Sequence, residues 1–218
     1  MRVIRIPDTD RQAALIEAAG EIKRGGIVAF PTETFYGLGV SFSDNEALTK
    51  LFELKRRPKD KPMPLIIGDV PALAVIASPP DKIAWRIIER FWPGPLTVLL
   101  AARPGLPDLI TGRSGKVAVR VPGRSFALDL ARAVGYPLTA TSANISGMPP
   151  ADNPADVIRY FGDAIDLLID DGSAPGGEPS TIIDMSQGDI SLVRPGAVPY
   201  EEILKAANPR RGVNKKET

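Results

Sequence analysis

The chain has 218 residues, 44% of them hydrophobic, carries 27 Lys and Arg against 26 Asp and Glu for a net charge of +1, and contains neither histidine nor cysteine. That length and apolar content suffice for one domain with a sizeable core, while the near-zero charge argues against an extended non-specific nucleic-acid surface. The missing residues exclude disulfides, thiolate or imidazole metal sites, thiol nucleophiles and any Ser-His-Asp triad, so proton transfer falls to carboxylates, amines, water or the substrate itself.

Met1 to Asp8 lacks a hydrophobic signal core, and the longest apolar stretch, Leu96 to Ala102, is far too short to span a bilayer. Both features predict a soluble cytoplasmic protein with no membrane association. Apolar positions at Ala14, Leu15, Ala18, Ala19 and Ile22 predict a helix from Asp10 to Lys23, ended by Gly25-Gly26. Ile27 to Phe30 reads as a short buried strand bounded by glycine and proline. A helix from about Asp44 is stopped by Pro58, and a strand follows at Leu65. Next come a helix from Asp81 to Phe91, strands at Leu96 to Ala102 and Val117 to Val121, a helix at Phe126 to Val134, a strand around Leu138, and a helix after Pro154 stopped by Gly162. Apolar runs at Leu167 to Ile169, Thr181 to Ile183 and Ile190 to Val193 read as late strands, and a short helix begins at Tyr200. Alternation early with strands clustered late predicts an α/β fold built on a twisted mixed sheet flanked by helices, not a purely parallel one. Residues 1–207 are expected to form one domain, and 208–218, with Arg210, Arg211, Lys215 and Lys216, read as a charged, mobile tail.

Three polar clusters follow apolar segments. Pro31 to Gly39 sets hydroxyls, a carboxylate and two glycines on the end of a predicted strand, the way α/β folds present a ligand site beyond a sheet edge. A turn in which Thr32 and Thr34 cap the next helix is the competing reading. Lys55, Arg56, Arg57, Lys59 and Lys61 crowd a helix C-terminus more densely than the helix dipole requires and precede a strand, a position suited to phosphate. Thr139 to Gly147 repeats the pattern with hydroxyl and amide groups. Together the clusters predict one shared cleft.

Phe30-Pro31-Thr32-Glu33-Thr34 followed by Tyr36-Gly37-Leu38-Gly39, the Lys-x-Arg motif at Lys55 and Arg57, Trp92-Pro93-Gly94-Pro95-Leu96-Thr97, Val119-Arg120-Val121-Pro122, the Ser-x-Asn motif at Ser142 and Asn144, Pro179 to Asp184, and Arg194-Pro195-Gly196 occur in an order that resembles the YrdC-like threonylcarbamoyl-AMP synthases in their short, single-domain form. The resemblance runs from about Ile22 to Val198. It implies a concave basic cleft in which L-threonine, bicarbonate and ATP form threonylcarbamoyl-AMP and pyrophosphate, for threonylcarbamoyl-adenosine modification of tRNA. Mg²⁺ is expected to accompany ATP, held largely by phosphate oxygens and water, with protein ligands unassigned. A downstream tRNA-modifying transferase complex and a contact to tRNA are the further partners implied.

By the same resemblance Lys55 and Arg57 are catalytic, and Thr34, Arg120, Ser142 and Ser180 bind threonine, with the planar fork of Arg120 on its carboxylate. Arg57, Lys61, Lys116, Asn144 and Arg194 match nucleotide-contacting positions. Asp152 reads either as a nucleotide neighbour or as a helix N-cap before Pro154, and Phe35 and Tyr36 either wall the pocket or pack in the core. Two departures stand out. Arg56 replaces a glycine common in relatives, making the backbone less permissive, and a histidine found near Ile66 in some relatives is missing. A P-loop reading fails because Val117 follows Gly115-Lys116, and a dinucleotide fingerprint fails because Phe42 stands where a third glycine is needed. The alternative of another class is a non-catalytic RNA-binding or ribosome-assembly module using the basic cleft.

Overall fold

A computed structural model describes residues 1–208; the expected tail from residue 209 onward lies outside the described residues. The elements are β1 (Arg2–Arg5), α1 (Arg11–Lys23), β2 (Val28–Pro31), β3 (Tyr36–Gly39), α2 (Asn45–Leu54), β4 (Leu65–Ile66), α3 (Leu73–Ile76), α4 (Lys82–Phe91), β5 (Leu96–Ala101), α5 (Asp108–Thr111), β6 (Lys116–Arg120), α6 (Phe126–Val134), β7 (Leu138–Thr139), β8 (Thr141–Ser142), α7 (Pro154–Phe161), β9 (Leu167–Asp170), β10 (Thr181–Asp184), β11 (Ser191–Arg194) and α8 (Tyr200–Ala207). Helix starts follow local chemistry. Asp10, Asp44, Asp81 and Ser125 each accept backbone N–H groups of the first turn of α1, α2, α4 and α6. Asn153, not Asp152, caps α7 by accepting from the Asp156 N–H at 2.9 Å, while Asp152 accepts from the Asn153 amide.

Pairing is mixed, as expected, but the strands divide into two sheets. A 5-stranded sheet runs β1-β9-β2-β3-β8 and a 6-stranded sheet runs β11-β10-β5-β6-β4-β7. β1, β9 and β2 are mutually parallel, and β3 and β8 continue antiparallel. In the second sheet β10 is parallel to β5 and β4 to β6, with β11, β5–β6 and β7 pairing antiparallel. The chain passes from one sheet to the other between β7 and β8, across Ala140 alone.

β2 is buried along its whole length because both of its faces are covered. Ala29 joins Val98, Val119 and Ile183 in one core, while Val28 and Phe30 join α1 and α6 in a second. Tyr36 to Gly39, read from the sequence as part of a polar cluster beyond a strand end, is itself a strand. Its glycines serve close packing: a Cβ on Gly39 would lie 2.7 Å from the Phe30 ring and 3.0 Å from the Thr139 carbonyl oxygen. Glycine within a strand marks this kind of approach.

The end of α2 sets up the Lys-x-Arg motif. Lys55 closes the helix, Arg56 turns to φ 50, and the Arg57 and Arg56 N–H groups bond back to Phe52 and Glu53 carbonyls at 2.9 and 3.0 Å. This left-handed cap normally takes glycine. Left-handed backbone costs an L residue roughly 1–2 kcal/mol, partly offset by the greater unfolded-state freedom of glycine, worth about 0.4–1 kcal/mol. Arg56 is exposed, so Arg56→Gly should stabilise the fold by about 0.5–1 kcal/mol and raise Tm by about 2–3 °C in a thermal melt. An unchanged or lowered Tm would show that the Arg56 side chain contributes more than its backbone strain costs.

Candidate active site

The second sheet offers its free face to a cleft of about 750 Å³. Thr97 and Leu99 of β5, Ala118 and Arg120 of β6 and Ile182 of β10, each on the side opposite the core residues of its strand, form its floor together with Arg194 of the exposed β11. The register draws Ile66, Arg120, Ile182 and Arg194 toward one row, since Ile66 pairs with Arg120 and Ile182 with both Thr97 and Arg194. The first sheet supplies the facing wall through Thr32, Thr34 to Gly37, Thr141 and Ser142, and Arg57 and Lys61 close one side. The three clusters therefore do converge. Thr34, Arg57, Lys61, Arg120, Ser142, Ser180 and Arg194 all line the cleft.

Each polar wall residue is held from behind. The Thr32 hydroxyl donates to the Phe35 carbonyl at 2.7 Å and accepts from the Thr34 and Phe35 N–H groups, which makes a turn between β2 and β3 and not a helix cap. Tyr36 belongs to the core, fully buried, and its hydroxyl donates to the Gly172 carbonyl at 2.7 Å. Burial, reinforced by the nearby Asp170 and Asp171 charges, pushes that phenol up to about 12. Phe35 is the half-buried aromatic of the wall. Arg57 donates to the Pro62 carbonyl at 2.8 Å and to Lys61 at 3.3 Å, and burial lowers its pKa. Arg194 reaches the Ser180 carbonyl and hydroxyl at 2.7 and 3.1 Å; burial and the Arg120 charge lower its pKa. Ser180 also shares a hydrogen bond with Thr97 at 2.9 Å.

Arg120 is not free. Its Nη1 donates to Glu33 Oε1, which also accepts from the Gly123 N–H, and the second oxygen of Glu33 is buried without a partner. Among the described residues the Arg120 side chain makes no other hydrogen bond, so the rest of its five-donor fork remains for a ligand. Lys55, Asn144 and Lys116 stand off the cleft. Lys55 is 2% exposed and donates to the Ser142 carbonyl, and to the Asn144 carbonyl and side-chain oxygen at 2.7 and 3.3 Å. Burial and the Arg57 charge push its ammonium down to about 7, against the pull of those three oxygens. Asn144 accepts from the Ser142 hydroxyl at 2.6 Å and donates to the Met148 carbonyl. Lys116 begins β6, roughly 13 Å along the strand from Arg120, and donates to Asp184 at 2.6 Å. Burial alone would raise Asp184, but hydrogen bonds from Lys116 and Ser186 hold its carboxyl below the usual range.

Glu33 and Thr97 received no role from the sequence. Both lie inside quoted motifs, but only strand register and the turn after β2 reveal what they touch.

A family profile covering Sua5, YciO and YrdC proteins, described as Telomere recombination, matches residues 20–196. The threonylcarbamoyl-AMP synthase of Pyrococcus abyssi is 43% identical over 188 residues, covering 86% of this chain and 55% of its own length. That of Bacillus subtilis is 35% identical over 196 residues, covering 89% and 57%. The chain thus spans little more than half of each of these two relatives. The crystal structure of P. abyssi Sua5 complexed with L-threonine superposes with a TM-score of 0.87 at 40% identity, over 94% of this chain and 60% of that one. With the profile covering most of its length and the fold matching throughout, the chain belongs to the Sua5/YciO/YrdC family.

Proposed function

We propose that the protein is an L-threonylcarbamoyladenylate synthase: the amine of threonine takes up bicarbonate as a carbamate with loss of water, and a carbamate oxygen attacks the α-phosphorus of ATP, expelling pyrophosphate. The observation that carries this reading is the convergence of Thr34, Ser142 and Ser180 with Arg57, Lys61, Arg120 and Arg194 on one cleft that, among the described residues, no Asp or Glu lines. Bringing a carbamate against a triphosphate joins anions, and fixed cations reduce that repulsion most where water is excluded. A volume of about 750 Å³ suits a nucleotide-sized ligand. The relatives named as threonylcarbamoyl-AMP synthases and the threonine-bound Sua5 support the same substrates. They favour it over an RNA-binding module, for which Phe35 is, among the described residues, the lone partly exposed aromatic in the lining.

In this reading Arg120 holds the threonine carboxylate with the N–H groups that Glu33 leaves unused, while Thr34, Ser142 and Ser180 surround the amino acid. Arg57, Lys61 and Arg194 take the phosphates. In this reading Mg²⁺ is held largely by phosphate oxygens and water. The product would pass to a tRNA-modifying transferase in the cytoplasm.

Pyrophosphate release should require ATP, threonine and bicarbonate together, measured with each withheld in turn. Equal turnover without threonine would replace the synthase reading by a generic ATPase.

Selectivity follows from the hydroxyls. Serine loses only a methyl, about 0.8 kcal/mol of apolar contact, whereas valine leaves a buried hydrogen-bond partner orphaned at roughly 1–3 kcal/mol. Catalytic efficiency should fall in the order threonine, serine, valine. Arg120→Ala should raise KM for all three about 10- to 100-fold, because it removes a charge-assisted contact worth roughly 1.5–3 kcal/mol. Valine matching serine would mean that the pocket reads shape alone.

A further inference from the structure

Arg57, Arg120 and Arg194 each present a guanidinium group to the cleft, and the protein holds the three unequally. Arg57 is fixed through two of its nitrogens by the Lys61 and Pro62 carbonyls at 3.3 and 2.8 Å, and Arg194 by the Ser180 carbonyl and hydroxyl at 2.7 and 3.1 Å. Arg120 rests on a single side chain. Its Nη1 donates to Glu33 Oε1, and among the described residues no other hydrogen bond restrains the guanidinium.

Glu33 does not itself line the cleft; it stands behind Arg120, in the turn between β2 and β3. The Thr32 hydroxyl fixes that turn by accepting from the Thr34 and Phe35 N–H groups. Glu33 Oε1 also accepts from the Gly123 N–H at 3.4 Å, just past the end of β6, so the carboxylate spans from the first sheet to the second. Its other oxygen is buried with no partner. A buried polar atom left unsatisfied calls for a reason other than stability.

We infer that Glu33 is a positioning residue for the amino-acid subsite: it holds the Arg120 guanidinium in one orientation through Nη1 and so aims the remaining N–H groups at the substrate carboxylate. The inference rests on the synthase reading, in which Arg120 takes that carboxylate. An arginine side chain is long and rotamer-rich, and a ligand that has to freeze it binds more weakly. Glu33 moves that ordering from binding to folding. Its charge acts in the opposite sense, because a carboxylate beside Arg120 repels the one that arrives. Orientation and charge are separated by two variants. Glu33→Gln keeps an oxygen between the two donors, Arg120 Nη1 and the Gly123 N–H, and loses only the charge. Glu33→Met has similar length but neither charge nor acceptor, so the difference between these two neutral variants isolates the anchor.

Titration with L-threonine should show Glu33→Met binding about two- to tenfold more weakly than Glu33→Gln, the weight of freezing one long side chain, with MgATP affinity the same in both. Equal threonine affinities, or a parallel loss of MgATP affinity, would overturn the inference. A second measurement needs no ligand. Nitrogen-15 relaxation of the Arg120 Nε–H should give an order parameter above about 0.6 in wild type and Glu33→Gln, and below it in Glu33→Met. An order parameter unchanged in Glu33→Met would overturn the anchoring role. Should Glu33→Met fail to fold, Glu33→Ala, which also lacks the acceptor, takes its place in both measurements. If neither wild type nor the variants bind threonine, the synthase reading falls, while the relaxation data still decide whether Glu33 anchors Arg120.

Discussion

Burial of one face of the second sheet is the constraint on which the site depends. Val98, Val119 and Ile183 are completely buried in the larger core, each side chain worth roughly 1.5–3 kcal/mol of transfer free energy. Because strand side chains alternate, that burial drives Thr97, Leu99, Ala118, Arg120 and Ile182 to the other face and makes them the cleft floor. A slip of one residue in β6 would bury the Arg120 guanidinium in the core and expel Val119. The apolar core thus fixes the register of the polar site on the opposite face.

The facing wall is secured differently. β7 and β8 belong to different sheets and are separated by Ala140, whose N–H bonds to the Pro64 carbonyl at 3.1 Å. Short strands of this kind have little ladder to hold them. Their support comes from Phe30 packed against Gly39, and from Lys55 donating to the segment just beyond β8. Burying an ammonium is costly unless its donors are matched, and here three oxygens match them. The helix-end turn at Arg56 lets one motif place one cation under the wall and another in front of it.

Glu33 and Arg120 hold the one ion pair at the cleft among the described residues. A carboxylate with one oxygen bonded and the other buried without a partner carries a desolvation cost of roughly 1–3 kcal/mol or more. It persists because Glu33 follows Thr32, whose hydroxyl locks the turn, and because Gly123 approaches from the other side. The pair keeps Arg120 oriented at the cleft with part of its fork unspent.

Much of this was legible in the sequence. Periodicity and capping residues such as Asp44, Asp81 and Ser125 located the helices, since helix starts depend on neighbours a few positions away. Runs such as Ile27 to Phe30 and Val117 to Val121 located strands, and the motifs named the family and most of the cleft lining. The glycines at 37 and 39 gave no strand signal, because what keeps them extended is pairing with β2 and β8, and what requires glycine is the close Phe30 ring. The split into two sheets, the removal of Lys55 and Asn144 behind the wall, the pairing of Lys116 with Asp184 and the grip of Glu33 on Arg120 were likewise decided only by tertiary structure. The last three depend on contacts between residues 68 to 89 positions apart. Local sequence specifies backbone conformation and side-chain chemistry; which cation meets ligand and which meets the chain's own oxygens is settled by register and packing between segments that only the folded chain brings together.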